Sequence, residues 1–353
     1  MNASVPRLHA MTRRRQILGF AGAAAIVSMV GCGGSDSEDT AGSDTPARTS
    51  PTPVPRPKIP HHGSMATAEL GAGARLNGAA CFPVGSTWNR DVSSAPVESN
   101  STSLIAGMGL HGGPRCDLGA GSGIPYVVVA GTQRRVAIRF AFPEQSDVDA
   151  YPMPDDAPIE SGFDRRVLVI DRDNNQLFEL YGASVRPGGG WNAGSGAIFQ
   201  LDSDDIRPGA LPGWMSADPS GMPIFPGLIR YEEARAGLIP HALRFAAPQT
   251  RRAYVAPATS WGMALSDDAQ LPPMGVRLRL AARFVIPEGF SRESRAILQA
   301  LKTYGMFLAE TTSKWGFTGA PDERWDGDRI VGELDTLRSS DFEVVAMEDL
   351  VTG

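Results

Sequence analysis

Val276-Arg277-Leu278-Arg279-Leu280-Ala281-Ala282-Arg283-Phe284-Val285-Ile286 is the most regular stretch of the chain. Side chains on an extended strand alternate between its two faces. One face therefore carries Val276, Leu278, Leu280, Ala282, Phe284 and Ile286. The other carries Arg277, Arg279, Ala281, Arg283 and Val285. A period of two held this long is a strand signal, not a helical one. Shorter β-type runs recur between Gly- and Pro-rich turns, at residues 124–130, 135–142, 166–171, 176–185, 197–201 and 241–247. After Arg166 the run Val167 to Ile170 is apolar on both faces, which suits an interior strand. This spacing predicts a mostly β chain, a β-sandwich or jelly-roll-like single domain over residues 76–353. Two peripheral helices are predicted near the C-terminus. Ser291 caps the first, with Ala296, Ile297, Ala300, Leu301 and Tyr304 along one stripe and Gly305 as its stop. Asp326 caps the second, with Ile330, Leu334 and Leu337 on its buried face.

The N-terminus reads differently. Residues 1–31 carry Arg7, Arg13, Arg14 and Arg15 and no acid, followed by a weakly apolar run over 17–30. That run falls short of the roughly 20 residues needed to cross a bilayer, so it reads as a signal peptide. Met29-Val30-Gly31-Cys32 resembles a lipobox, which implies cleavage before Cys32 and acylation of that cysteine. Arg14-Arg15-Gln16-Ile17-Leu18 resembles the twin-arginine motif of proteins exported already folded. Residues 32–75 turn to Ser, Thr, Gly and Pro and show no apolar periodicity. They are expected to form a disordered stalk, semi-stiff where proline dominates. His61-His62 lies within it and reads as a pair of solvated loop residues. The expected location is the cell envelope, at the outer membrane or cell surface, with the membrane as a partner through the lipid.

Removing residues 1–31 takes four of the 33 basic residues and none of the 39 acidic ones, leaving a formal charge near −10. Nucleic acid is thereby an unsuitable partner. Cys81 and Cys116 remain, and in an oxidising compartment they are expected to pair as a disulfide worth about 3 kcal/mol. No Walker loop, HExxH, CxxC or GxSxG is present, which takes most of the weight from the nucleotide, classical zinc-protease and ordinary esterase classes. No cofactor or metal is expected.

The candidate chemistry rests on carboxylates. Glu160 and Asp164 lie in a turn-rich stretch, and Glu179 shares a strand face with Leu177 and Tyr181. A carboxyl on an apolar face has a raised pKa, as a general acid requires. Glycoside hydrolysis commonly uses two carboxylates. Glu179 with Glu160 or Asp164 is the expected acid/base pair, and His241 and Arg244 are expected to position substrate. Arg244 is flanked by Ala242 and Ala246, which leaves room for a ligand. Trp191, Trp214, Trp315 and Trp325 sit near Gly- and Pro-rich segments and read as stacking platforms for sugar rings, with Asp218 beside Trp214. Arg277, Arg279, Arg283 and Arg244 form a basic stripe suited to uronate groups. The expected function is action on an extracellular or envelope polysaccharide, as a glycoside hydrolase. The alternatives are a non-catalytic glycan-binding or envelope-structural lipoprotein, and a polysaccharide lyase using His241 as base.

Residues 191–199 (WNAGSGAIF), 241–245 (HALRF), 272–280 (PPMGVRLRL), 301–309 (LKTYGMFLA) and 319–326 (GAPDERWD) resemble a widespread family of uncharacterised secreted bacterial β-rich proteins. The resemblance spans most of the domain and implies a single secreted domain. It attaches no activity. The chain departs from the family pattern at three places. Members read DRH at Asp164-Arg165-Arg166, PARH near Pro257 to Ser260, and ADNG near Ala309 to Thr312. The resemblance therefore implies a divergent or inactive member if those residues serve chemistry.

Overall fold

The computed structural model describes residues 64–208 and 210–353. The expected signal peptide, Cys32, the expected stalk up to residue 63 and His61-His62 lie outside them. In chain order the first strands are β1 (Gly71–Ala72), β2 (Arg115–Asp117), β3 (Tyr126–Val129), β4 (Val136–Phe140), β5 (Ala150–Tyr151) and β6 (Val167–Asp171). Next come β7 (Gln176–Tyr181), β8 (Ser184–Val185), β9 (Trp191–Ala193), β10 (Ser195–Gln200), β11 (Leu243–Ala247) and β12 (Ala253–Tyr254). The last are β13 (Arg277–Leu280), β14 (Met306–Thr311), β15 (Gly316–Thr318), β16 (Phe342–Val344) and β17 (Val351–Thr352). The α-helices are α1 (Ser101–Gly107), α2 (Tyr231–Ala236), α3 (Arg292–Thr303) and α4 (Gly327–Leu334). The described residues form a single mostly β domain, and its few helices include the two expected near the C-terminus.

Three sheets do most of the packing. A five-stranded sheet runs β1-β3-β6-β7-β10, a six-stranded sheet runs β16-β13-β14-β11-β15-β2, and a four-stranded sheet runs β5-β4-β9-β8. All three are mixed: β3–β6, β11–β14, β15–β2 and β4–β9 pair in parallel. Strand alternation explains how they stack. Leu168, Ile170 and Leu177 enter a large core shared with Leu243, Phe245, Leu278 and Leu308 of the six-stranded sheet. Their neighbours Val167, Val169, Phe178 and Leu180 enter a second core with Ile138, Tyr151 and Trp191 of the four-stranded sheet. The five-stranded sheet is thus covered on both faces, as the uniformly apolar Val167–Ile170 run requires.

Several expectations need correction. Only Arg277–Leu280 of the long alternating stretch is strand, and all four residues are buried. The Arg277 guanidinium donates to the carbonyls of Thr87 (2.9 Å), Arg90 (3.0 Å) and Tyr304. Arg279 donates to the carbonyls of Val92 and Ala95 and meets Glu343 at 3.1 Å. Arg277 and Arg279 thus bind the domain's own backbone, Arg244 is buried and the exposed Arg283 pairs with Glu343 at 3.3 Å, so the four do not form an open uronate-binding stripe. Trp191, Trp315 and Trp325 are buried core residues, not platforms. Cys81 and Cys116 are separate buried thiols with no disulfide between them, and burial pushes both up to about 12. Residues 64–75 belong to the domain and not to the stalk: Met65, Ala68 and Ala74 are buried, and β1 pairs with β3.

Candidate functional site

The expected site residues divide into three groups. Glu179 lies on β7, on the face it shares with Leu177, as the period of two predicted. There it is fully buried, and its carboxylate accepts from the backbone N–H of Ile224 (2.9 Å) and of Phe225 (2.9 Å). It anchors the 3-10 turn Phe225–Gly227 and has no exposed surface. Burial pushes its carboxyl up to about 8 against the pull of the two N–H donors.

His241 lies in a second buried group. Its Nδ1 donates to the Ala242 carbonyl (2.9 Å), which leaves Nε2 to accept from Arg230 (2.9 Å). Glu233 stands 3.2 Å from the same nitrogen and meets Arg230 at 2.5 Å. The ring is 3% exposed, so the lyase reading loses its base.

Glu160, Asp164, Asp218 and Arg244 do come together, through two residues that had no assigned role. Arg166, just before β6, meets Glu160 at 3.2 Å, Asp164 at 2.9 Å and Glu310 at 2.6 Å. Its backbone N–H also donates to Glu160 (3.1 Å). Arg244, on β11, donates one Nη to Asp218 and stands 3.3 Å from Glu310. Asp218 in turn accepts from the backbone N–H (2.9 Å) and hydroxyl (2.5 Å) of Ser220. The chain of contacts is Glu160, Arg166, Glu310, Arg244, Asp218, Ser220.

A register shift helps place Glu310. Phe245 pairs with Leu308, but the next residue, Ala246, pairs with Glu310. The extra residue bulges β14, and bulges re-aim side chains beside functional sites. Gly227 packs over the other partner: a Cβ there would stand 3.0 Å from the Arg244 Cβ.

Four carboxyls surround two guanidiniums, a formal excess of two negative charges. Burial raises Glu160 and Asp218 in spite of their arginines. Burial also works to raise Glu310, but Arg166 and Arg244 outweigh it and hold that carboxyl below its ordinary value. Arg166 is itself raised, because its three acids overcome the cost of burying it.

The cluster floors two adjoining clefts. One, of about 370 Å³, is polar and is walled by Arg115, Asp117, Ser122, Ser161, Lys314 and Thr318. The other, of about 520 Å³, shares Asp164, Arg166 and Glu310 and reaches Asp218. Its walls are Phe142, Tyr181, Met215, Ala217, Pro219 and Met263. The two form a groove that is polar at one end and apolar at the other. Trp214 lines neither cleft; Arg207 covers its ring at 5.6 Å, so it is not a platform here.

Two of the positions at which the expected resemblance fails, Arg166 and Glu310, fall in this one place. Arg166 and Glu310 are ion-paired to each other. The Ser260 N–H donates to the carbonyl of Ser220, the residue that holds Asp218 (3.1 Å). A charged residue abutting an apolar strand run, Arg166 before Val167–Ile170 and Glu310 after Met306–Ala309, was the other available signal. Among the described residues no group of His, Cys, Asp and Glu is arranged to hold a metal ion, and no helix is long and apolar enough to cross a membrane. No protein-family model, curated protein or solved structure matches this chain.

Proposed function

We propose that the protein is an exported, lipid-anchored envelope protein that holds a glycan chain in the groove over Arg166 without cleaving it. One observation carries this reading: a single guanidinium engages Glu160, Asp164 and Glu310 together. A glycosidase needs one carboxyl free to give up its proton and a second free to meet the anomeric carbon or a water. Here three of the groove's acids share an internal cation that stands among them, and Asp218 and Asp117 are paired with Arg244 and Arg115. The polar end suits sugar hydroxyls, and Phe142, Tyr181 and the two methionines suit the apolar faces of the rings. The lipobox-like segment at Cys32 supplies the location.

The test is a glycan array probed with the mature chain. Retention of a polysaccharide whose length distribution stays unchanged after long incubation is expected; shortening of the glycan overturns the reading. Cys32→Ser is expected to abolish lipid labelling and detergent-phase partition.

A hydrolytic reading has one observation in its favour. Glu160 is raised and Glu310 is lowered, and opposed shifts in neighbouring carboxyls mark an acid and its partner. In that reading Glu160 gives the proton and Glu310, not Glu179, is the second carboxylate. Glycan shortened by the wild type but not by Glu310→Gln is the outcome that selects it.

A further inference from the structure

We infer that the protein has a second ligand site, built for an oxyanion, in an open cleft of about 680 Å³ between the β3–β4 turn and the Gly188 to Gly190 loop. It shares no lining residue with the groove. Arg134, Arg135 and Arg186 line it against a single acid, Asp155. That is a local reversal of sign in a chain of formal charge −6.

The three charges are balanced to different degrees. Arg135 lies 3.6 Å from buried Asp171 and donates to the Ala150 carbonyl and to Gln176 Oε1, both at 3.2 Å. Arg134 meets Asp155 at 3.0 Å, but the two side chains are 68% and 88% exposed. A pair so exposed is worth little and separates readily. Arg186 has no acidic partner among the described residues, and its Nε is buried without a hydrogen-bond partner.

Gly190 creates the space that Arg186 uses. Its φ is +87°, and a Cβ on it would stand 3.1 Å from both Cζ and Nε of Arg186. The guanidinium therefore lies against bare backbone at the wall of the cleft. Arginine forks bind oxyanions through paired N–H donors. Arg186, with Arg134 once it leaves Asp155, takes a carboxylate or sulfate group. On an envelope glycan these are uronates or sulfate esters. The glycan as carrier rests on the proposed function; the oxyanion site does not.

The test measures binding of the full mature chain to polygalacturonate, dextran sulfate and neutral dextran by calorimetry at low salt. At least one anionic polymer is expected to bind, and the two arms separate carboxylate from sulfate. Arg186→Gln is expected to weaken that binding at least tenfold. Arg134→Gln alters an exposed side chain, so a smaller loss there keeps the test decisive if Arg186→Gln fails to fold. Arg252→Gln, outside both the groove and this cleft, is expected to leave anionic binding unchanged. Any binding of neutral dextran is expected to ignore Arg186 and Arg134, so failure of the groove reading and failure of this one are distinct. Anionic polymers that bind no better than dextran, or that bind the Arg186 and Arg134 variants undiminished, overturn the assignment. Arginine-dependent binding of phosphatidylglycerol vesicles without any polymer binding overturns it as well, in favour of a membrane surface.

Discussion

Glu179 sits in the core with backbone N–H groups as its partners. Its carboxyl is pushed up to about 8, from 4.5 when exposed. Between those values the folded protein holds a proton that the unfolded chain has released. Stability therefore falls as pH rises through that window, by at most about 1.4 kcal/mol per pH unit for one proton. Glu179→Gln is expected to flatten the decline in urea midpoint over the same range; equal slopes in the two proteins would refute this account. Arg244 is the opposite case, a buried cation between two acids. Arg244→Leu leaves Asp218 and Glu310 without their shared partner, and breaking a buried pair from one side costs about 3–5 kcal/mol. The loss, read from denaturant unfolding, is expected to shrink at acid pH, where the stranded carboxyls take up protons.

At the scale of elements, the caps were the most legible feature. The Ser291 hydroxyl accepts from the Ser294 N–H at 3.2 Å and donates to Glu333 at 2.6 Å, and α3 begins one residue later. Ser291→Ala is expected to cost about 1 kcal/mol in thermal or chemical unfolding. Asp326 caps α4 in the same way, and Ile330, Leu334 and Leu337 are all buried as their spacing predicted. These signals are legible because a cap and a helical stripe are local. The strand at Arg277–Leu280 shows the limit. Alternation located it and separated its two faces, but it could not show that the arginine face is covered by the Thr87 to Ala95 segment. Residues 64–75 carry no strand signal in the sequence for a related reason: β1 has no apolar pattern of its own and borrows its partner from β3. A chain beginning at Leu76 is expected to unfold at lower denaturant than one beginning at Ser64, since burial of Met65 alone is worth about 1.5–3 kcal/mol.

At the scale of the whole molecule, the cysteines test the packing. Two buried thiols in place of a disulfide mean that reductant is expected to leave the melting temperature of the mature domain unchanged. Both thiols are expected to resist a thiol reagent until the protein unfolds, because burial holds them protonated. A melting point that drops with reductant would restore the cross-link.

What the sequence determined by itself was periodic or local: a mostly β domain, an interior strand at Val167–Asp171, the two capped helices and the face of Glu179. Each depends on spacing along the chain, which hydrophobic burial and backbone geometry turn directly into structure. Only the tertiary structure decided which charges meet. Arg166, Asp218, Arg244 and Glu310 come from the edge of β6, a loop, β11 and β14, and a one-residue bulge helps set the meeting of the last two. Carboxylates that looked free for acid/base work proved to be clamped, because pairing in a low-dielectric interior depends on distance in space, and no spacing along the chain encodes it.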